Sequence, residues 1–309
     1  MAETLMCDPK LLAQDLTDRT YIVTGANSGT GLSTTTQLVR QGARVIAACR
    51  RVQAGMDATE FLADEPGSAE VMELDLANLE SIRRFADAFR ARHAGLDGLV
   101  NNAGVMNTPE GRTADGFETQ FGVNHLGHYL LTELLLETLK TSAPSRIVIV
   151  SSAGHAAYFD GFVTIDFDDL HFESRQYNGG TAYMQAKLAN VLHARQLAKR
   201  LRDTGVSVFS THPGTVKSNL VRHTDPSLYE GHEMLSIEEG AQSQLHCLLD
   251  PNAPQHSGEY FSQRSPYYPD KADHSGGWPM RSPNPNANDD AIAERLDEVS
   301  RKLVGLAGA

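Results

Sequence analysis

The stretch TGANSGTG, residues 24–31, places three glycines within eight positions. Glycine loses more backbone freedom on folding than any other residue, so such a cluster needs a structural reason. The residues before it, TYIV at 20–23, predict a buried strand, and LSTTTQLV at 32–39 has helical spacing. Because a strand that turns through glycines into a helix can hold a pyrophosphate at the helix N-terminus, this glycine turn (residues 24–31) predicts a dinucleotide site. Its spacing, GxxxGxG and not GxGxxG, leaves a plain tight turn as the alternative.

Composition restricts the class of protein. The chain has 309 residues, 40% of them apolar, and its 27 Lys+Arg against 39 Asp+Glu give a net charge of −12. This acidic balance argues against nucleic acid or an anionic membrane as a partner, although it leaves room for a local basic pocket. The three cysteines, Cys7, Cys49 and Cys247, are widely spaced and predict neither a disulfide framework nor a metal site.

The sequence also predicts a cytoplasmic protein without a membrane span. The first ten residues, MAETLMCDPK, lack the basic-then-apolar order of a signal peptide. The most apolar stretch, LGHYLLTELLLETL at 126–139, is interrupted by a histidine and two glutamates, which is typical of an amphipathic helix.

Strand-like and helix-like segments alternate along most of the chain. Continuous apolar strands such as ARVIAAC and RIVIVSS indicate burial on both faces, hence a parallel sheet covered by helices. We therefore predict an α/β fold, a single doubly wound parallel sheet of the Rossmann type with about seven strands and helices on both faces. The predicted strands are Tyr21–Gly25, Arg44–Cys49, Glu70–Leu76, Gly98–Asn102, Arg146–Ser152, Val206–His212 and Gly258–Phe261, and the helices are 30–41, 52–62, 79–93, 117–140, 181–203 and 236–249.

Residues 1–309 are predicted to form one domain, with a core at about 18–262. The segment 263–288 is rich in Pro, Gly and Ser and predicts a loop. A C-terminal helix follows at 289–305, capped by Asp289 or Asp290.

The ends of the next strands carry candidate nucleotide contacts. Arg50 follows the second strand, where an NAD site usually has a carboxylate, so it favours NADP(H), with Arg51 and Asn27 as helpers. The alternative is that two arginines begin a surface helix. After the third strand, Asp75, next to Leu76, could accept from an adenine amino group or cap a helix. The small residues after the fourth strand would let a nucleoside lie against the backbone, namely Asn102, Ala103 and Gly104.

A tyrosine and a lysine stand four residues apart in the helical pattern at 181–203. Tyr183 and Lys187 therefore share one helix face. A free phenol has a pKa near 10, and a nearby ammonium group stabilises the phenolate. Ser152 at the end of the fifth strand and Asn124 in the preceding helix strengthen the case for a proton-transfer site.

Taken together, these motifs resemble the short-chain dehydrogenase/reductase family. They run in order from about residue 18 to 250: TGANSGTG, LD at 74–75, NNAG at 101–104, Asn124, Ser152, YMQAK at 183–187 and HPGTV at 212–216. The resemblance implies that Tyr183 is the general acid/base, that Lys187 assists it and holds the nicotinamide ribose, that Ser152 bonds the substrate oxygen, and that Asn124 holds a relay water. It also implies that the cofactor phosphates lie on the glycine turn, at Gly25, Asn27, Ser28, Gly29, Thr30 and Gly31, and that the nicotinamide side is lined by Pro213, Gly214 and Thr215.

Within the family, three stretches look like the retinol dehydrogenase and WW-domain oxidoreductase branch and like protochlorophyllide reductase. They are ACR at 48–50, TADGFETQFGVNHLGHYLLT at 113–132 and AYMQAKLANVL at 182–192. We predict an NADP(H)-dependent carbonyl reductase or alcohol dehydrogenase for a lipophilic small molecule. The alternatives are a carbon–carbon double-bond reductase of the protochlorophyllide reductase type, against which Thr215 argues, and a non-catalytic NADP(H) sensor. The oligomeric state, including a homo-oligomer, is left open, and the predicted pocket residues are Phe159, Tyr177 and Leu220.

Overall fold

The carboxyl ends of a largely parallel sheet form the edge on which the predicted site residues lie. The computed structural model describes residues 3–158, 161–229, 233–265, 268 and 275–306. Within that part of the chain, eight strands form one sheet in the order β10-β9-β8-β5-β4-β1-β2-β3, and β6 and β7 form a separate two-stranded ribbon. The strands are β1 Thr20–Thr24, β2 Arg44–Cys49, β3 Ser68–Glu73, β4 Gly98–Asn101, β5 Ser145–Val150, β6 Ala157–Tyr158, β7 Gly161–Phe162, β8 Val206–His212, β9 Tyr260–Ser262 and β10 Gly277–Met280.

The predicted doubly wound sheet is confirmed. In the eight-stranded sheet, every pair of neighbours in the row β9-β8-β5-β4-β1-β2-β3 is parallel. The strand order reverses between β1 and β4, which is where ligands bind in open α/β sheets. All seven predicted strands are present, with bounds shifted by up to three residues.

Helices cover both faces of the sheet, as predicted. One apolar core lies under α4, α6, α7 and α9, and the other under α1, α2 and α8. The helix at 117–140 is divided by a π-helical turn, Gly122–Leu126, which carries Asn124. The helices are α1 Pro9–Leu12, α2 Gly29–Arg40, α3 Val52–Thr59, α4 Leu79–Arg92, α5 Thr119–Phe121, α6 Gly127–Thr141, α7 Gly179–Arg200, α8 Ile237–Leu249 and α9 Asp290–Leu303.

The prediction of a loop for the whole segment 263–288 is wrong. Its described second half, which we term the C-terminal cover (residues 275–288), contains β10 and a 3₁₀ turn at Pro285–Asn288. Strand β10 pairs antiparallel with β9 at the edge of the sheet, with an irregular register between Gly277 and Met280. An edge strand tolerates proline because its outer N–H groups need no partner in the sheet, and composition alone therefore misled the prediction.

Two helix caps resolve alternatives that the sequence left open. Asn78 and not Asp75 caps α4, because its side chain accepts the backbone N–H of Ser81. Asp289 caps α9 by accepting two backbone N–H groups. Over the residues that the structure describes, none of the helices combines the length and the apolarity that crossing a bilayer requires.

Candidate functional site

The glycine turn connects β1 to α2 through backbone that other residues rarely adopt. Gly25 and Gly29 have positive φ angles of 67° and 56°. The N–H of Gly25 donates to Ala48 O at 2.9 Å, which ties the turn to the end of β2. At Gly31 a Cβ atom would lie 2.6 Å from Gly25 O and would also collide with Asn102 Nδ2. The turn therefore brings bare backbone close to the N-terminus of α2.

Asn102 braces the turn from the neighbouring strand. Its Nδ2 donates to Thr24 O at 2.8 Å, and its Oδ1 accepts from Thr30 Oγ1 at 2.8 Å and from Gln244 Nε2 at 3.1 Å. The side-chain amide is thus committed to β1, α2 and α8. Sequence reasoning missed Gln244, because nothing in its helical context marks it as a partner of a residue 142 positions away.

A buried histidine links the glycine turn to Asn124. Thr24 Oγ1 accepts the N–H groups of Asn102 and Ala103, each at 2.9 Å, and lies 2.9 Å from His128 Nε2. His128 Nδ1 lies 3.1 Å from Asn124 O. Burial lowers the pKa of His128 to about 3, so the ring is neutral. Because a carbonyl only accepts, Nδ1 carries the proton and Nε2 accepts from Thr24.

Asn124 is fully buried and pairs with the backbone after β4. Its Oδ1 accepts from Val105 N and its Nδ2 donates to Val105 O, both at 2.9 Å. Its side chain is therefore committed to Val105, and its main-chain carbonyl accepts from His128 Nδ1. A Cβ atom on Gly104 would lie 3.2 Å from Asn124 Oδ1 and 3.7 Å from Lys187 Nζ, so that both polar groups border the same small residue.

Lys187 is buried at the centre of the predicted site. Its Nζ donates to Val150 O at the end of β5 at 3.0 Å and lies 5.6 Å from the centroid of the Tyr183 ring. Burial lowers the pKa of Lys187 from an ordinary value of 10.5 to about 7. Asn190 donates to the same carbonyl at 3.0 Å. The side-chain amine can thus gain or lose a proton close to neutral pH.

Ser152 and Tyr183 meet at Gly154. A Cβ atom on that glycine would lie 3.4 Å from Ser152 Oγ and 3.9 Å from Tyr183 Cε1. Ser152 Oγ accepts the N–H of Gly154 at 3.1 Å, which leaves the hydroxyl proton free to donate elsewhere. The structure therefore brings together the four residues that were predicted to be catalytic, although they come from three separate stretches of the chain.

The two predicted arginines lie beside the turn. Arg50 and Arg51 are exposed, and Arg51 is the residue that precedes α3. The Cys49 thiol just before them is buried, and burial raises its pKa to about 11, so the thiol is uncharged at neutral pH.

At the end of β3 the geometry is compatible with a nucleoside edge. Asp75 is half-buried and its Oδ1 accepts the N–H of Ala77 at 2.9 Å, while the adjacent Leu76 is buried. One carboxylate oxygen of Asp75 remains for a further donor. Adenine recognition by these two residues stays a prediction.

The segment after β8 folds back over the glycine turn. Gly214 has a φ of 87°, and Thr215 O accepts the N–H of Leu235 at 2.8 Å. A Cβ atom on Gly29 would lie 3.8 Å from Ser218 Cβ, so Ser218 stands beside the turn. Sequence reasoning missed Ser218, since it follows the HPGTV motif without a pattern of its own.

The predicted pocket residues are placed less closely. The Tyr177 hydroxyl oxygen lies 3.1 Å from Thr108 O and 3.2 Å from Glu118 Oε1, either of which can accept its one proton, and it accepts from Gln120 Nε2 at 3.0 Å, so it anchors a loop. Leu220 is half-buried in a 3₁₀ turn at Asn219–His223. Phe159 lies outside the described residues. The pocket stays a prediction.

The residues present fit a nicotinamide dinucleotide. Two glycines with positive φ and a third that no larger residue could replace without a collision expose backbone at the start of α2. An exposed arginine follows the next strand. A helix N-terminus with accessible N–H groups favours a pyrophosphate, and a small-residue strand end at Ala103 and Gly104 leaves room for a flat ring.

Comparison with known sequences gives consistent similarities. The model of the short chain dehydrogenase family matches residues 19–163. Human retinol dehydrogenase 12 is 44% identical over 298 residues, covering 94% of this chain and 88% of that protein. Human retinol dehydrogenase 13 is 41% identical over 300 residues, covering 93% and 85%.

Solved structures extend these similarities to the whole fold. A crystal structure of an uncharacterised protein from Mycobacterium paratuberculosis has a TM-score of 0.76 at 35% identity, covering 95% of this chain and 96% of that one. Pseudomonas aeruginosa RhlG, in its active-site complex with NADP, has a TM-score of 0.67 at 25% identity, covering 83% and 97%.

Proposed function

The chain belongs to the short-chain dehydrogenase family, in its retinol dehydrogenase-like branch, and from this premise we propose that it reduces the carbonyl of a lipophilic small molecule, or oxidises the matching alcohol, with NADP(H). Family membership makes the protein an oxidoreductase of CH–OH and C=O groups that uses a nicotinamide cofactor. The choice of NADP(H), the lipophilic substrate and the role of each residue are the proposal.

The observation that carries the proposal is the convergence of four side chains on two glycines. Ser152 and Tyr183 border Gly154, and Asn124 and Lys187 border Gly104. In the reductive direction Ser152 donates a hydrogen bond to the substrate carbonyl oxygen and keeps its proton, while its own oxygen accepts from Gly154 N. Tyr183 then gives its phenolic proton to that oxygen as charge develops there. A nicotinamide cofactor held on the glycine turn would supply the hydride to the carbonyl carbon.

Lys187 replaces the proton that Tyr183 gives up. Its Nζ lies 5.6 Å from the tyrosine ring centroid, and its lowered pKa, about 7, lets it act as both donor and acceptor. In its charged form it stabilises the phenolate of Tyr183. Asn124 contributes to the proton relay through its main-chain carbonyl. The hydrogen bond from His128 Nδ1 orients that carbonyl.

Cofactor choice is assigned to Arg50. An exposed guanidinium directly after β2 can form two parallel hydrogen bonds to a ribose 2′-phosphate, where a carboxylate would repel it. The lipophilic substrate is supported by the names of the relatives, since retinol is a lipophilic alcohol. The cytoplasmic location and the single domain stay predictions.

The test combines cofactor binding and turnover. Fluorescence titration of the full chain should show tighter binding of NADPH than of NADH, and Arg50→Ala should remove most of that preference. Arg44→Ala is the matched control, because Arg44 is exposed at the opposite end of the same strand. NADPH-dependent turnover of lipophilic aldehydes and ketones should fall at least about 100-fold in Tyr183→Phe.

Other outcomes separate the alternatives. Equal binding of both cofactors, unchanged by Arg50→Ala, would contradict the NADP(H) assignment. Tight NADPH binding without turnover on any carbonyl would favour the non-catalytic sensor, and turnover confined to activated carbon–carbon double bonds would favour the double-bond reductase.

A further inference from the structure

The C-terminal cover reaches the turn that carries Ser152. Ser282 Oγ lies 2.6 Å from His155 Nε2, and His155 Nδ1 lies 2.6 Å from Ser152 O. Asn284 Nδ2 donates to His155 O at 2.8 Å and to Val163 O at 2.9 Å. His155 and Asn284 are fully buried, and Ser282 is 6% exposed. These contacts join residues that are about 130 positions apart.

The hydrogen bonds that connect Ser152, His155 and Ser282 all run in one direction. The Ser152 carbonyl can only accept, so His155 Nδ1 carries the ring proton. His155 Nε2 is then an acceptor, and it accepts from the Ser282 hydroxyl, whose oxygen in turn accepts the N–H of Asn284 at 3.1 Å. Burial lowers the pKa of His155 to about 4, which keeps the ring neutral and the direction fixed at physiological pH.

These hydrogen bonds hold the backbone that sets the direction of the Ser152 hydroxyl. Ser152 O accepts from the His155 ring and also from the His155 N–H at 3.1 Å, so both lone pairs of that carbonyl are used. Ser152 precedes the short 3₁₀ turn Ala153–His155, and its Oγ is fixed by Gly154 N in the same turn. Moving the His155 ring would therefore tilt the turn and redirect the Ser152 hydroxyl.

We propose that His155 and Ser282 are positioning residues that fix the direction of the Ser152 hydroxyl towards the substrate carbonyl. The inference rests on the proposed function, since it assigns Ser152 a substrate contact. It also gives the C-terminal cover a role in the reaction, through hydrogen bonds and without contact with the substrate.

Two substitutions of His155 separate positioning from simple stability. In His155→Asn the amide nitrogen takes the place of Nδ1 and keeps the bond to Ser152 O, whereas in His155→Gln the amide takes the place of Nε2 and keeps only the bond to Ser282. Both lose ring packing against Tyr260, whose ring centroid lies 4.8 Å from that of His155. Single-turnover oxidation of NADPH by a carbonyl substrate should slow about tenfold to 100-fold in His155→Gln and only a few-fold in His155→Asn. NADPH affinity should stay unchanged in both.

A second pair of variants tests the same positioning role if the buried His155 variants fail to fold. Ser282→Ala removes the Nε2 partner, and Asn286→Ala removes a bond from the same cover to Val163 O, which Asn284 continues to satisfy. We expect kcat to fall about threefold in Ser282→Ala with unchanged KM for NADPH, and no change in kcat in Asn286→Ala.

The outcomes distinguish this inference from the function on which it rests. Equal rates in His155→Asn and His155→Gln, or equal kcat values in Ser282→Ala and Asn286→Ala, would overturn the positioning role while the wild-type turnover upholds the proposed function. A wild-type protein that turns over no carbonyl would overturn the proposed function and the positioning role with it.

Discussion

The glycine turn and the C-terminal cover support opposite sides of one site by different means. The turn consists of eight consecutive residues whose backbone geometry makes the site: two positive φ angles and a crowded Gly31. The cover acts through side chains, Ser282 and Asn284, that reach a turn about 130 residues earlier in the chain. Backbone-built recognition can be detected in local sequence, because glycine is required at specified positions. Side-chain recognition by distant polar residues leaves no local pattern.

The two regions should also control different properties of the protein. The turn lies on the cofactor side, so changes there should affect cofactor affinity. The cover bonds to the Ser152 turn, so changes there should affect the rate of reaction and stability but not cofactor affinity. Lys187, whose Nζ bonds the end of β5, lies between the two and should affect both.

The largest expected effect is the change in the free energy of unfolding when the buried Lys187 is replaced. Burial lowers its pKa from 10.5 to about 7, so between these values the unfolded chain holds a proton that the folded protein has lost. The free energy of unfolding of the wild type should therefore rise with pH in this window. Without cofactor, Lys187→Met should be more stable than wild type by about 3 kcal/mol at pH 7, and the difference should shrink towards pH 10.

Urea unfolding of both proteins at the two pH values measures this difference. Lys217→Met is the matched control, because it removes the same side chain from an exposed position. A gap between Lys187→Met and wild type that stays constant with pH would contradict a buried lysine with a lowered pKa.

The next effect tests the cofactor side. In Gly31→Ala the new methyl group would lie 2.6 Å from Gly25 O, and the backbone of the turn would have to move. We expect NADPH affinity to fall about 100-fold, equivalent to about 2.7 kcal/mol, by fluorescence titration. In the control Gly116→Ala the methyl group meets nothing within 4 Å, although the φ of 88° makes alanine strained there. If both variants lost affinity equally, general destabilisation would explain the result and the turn would lose its special role.

The smallest effect tests the cover. Asn284→Ala leaves His155 O without its side-chain donor, whereas Val163 O keeps Asn286 Nδ2 at 2.9 Å. The unpartnered His155 carbonyl, together with the loss of the Asn284 Oδ1 acceptor of Asn286 N, should lower the free energy of unfolding by about 2 kcal/mol, measured by thermal or urea unfolding. NADPH affinity should remain at the wild-type value. A variant that lost cofactor affinity as well would show that the two regions are coupled, and the comparison would fail.

Much of the sheet and of the site could be predicted from the sequence. Strands β2 and β8 have the predicted bounds. In β2 (RVIAAC) an apolar run follows Arg44, and β8 (VSVFSTH) is rich in β-branched and aromatic residues and ends just before Pro213 and Gly214. Tyr183 and Lys187 could be paired because a helix brings residues four apart onto one face. The structure places Ser152 and Asn124 with them, at Gly154 and Gly104: Ser152 follows the end of β5, and Asn124 lies in the π-helical turn before α6.

Other features had no local pattern to predict them. Strand β10 contains glycine and proline and exists because β9 offers an unpaired edge. The partner of Asn102 in α8, Gln244, and the serine beside Gly29, Ser218, become neighbours only after the segment beyond β8 folds back over α2. The residue that caps α4 is Asn78 and not Asp75, three residues earlier, because the cap must directly precede the first helical turn.

Residue periodicity predicted the parallel sheet and glycine spacing predicted the glycine turn, because both depend on interactions over a few residues or one strand. The four polar residues at the proposed reaction centre were identified from motifs that resemble those of the family. Tertiary structure alone decided the burial of Lys187 that lowers its pKa and the support of Ser152 by His155 and Ser282. Desolvation and the direction of a hydrogen bond depend on every group that packs around an atom, and those groups come from distant parts of the chain.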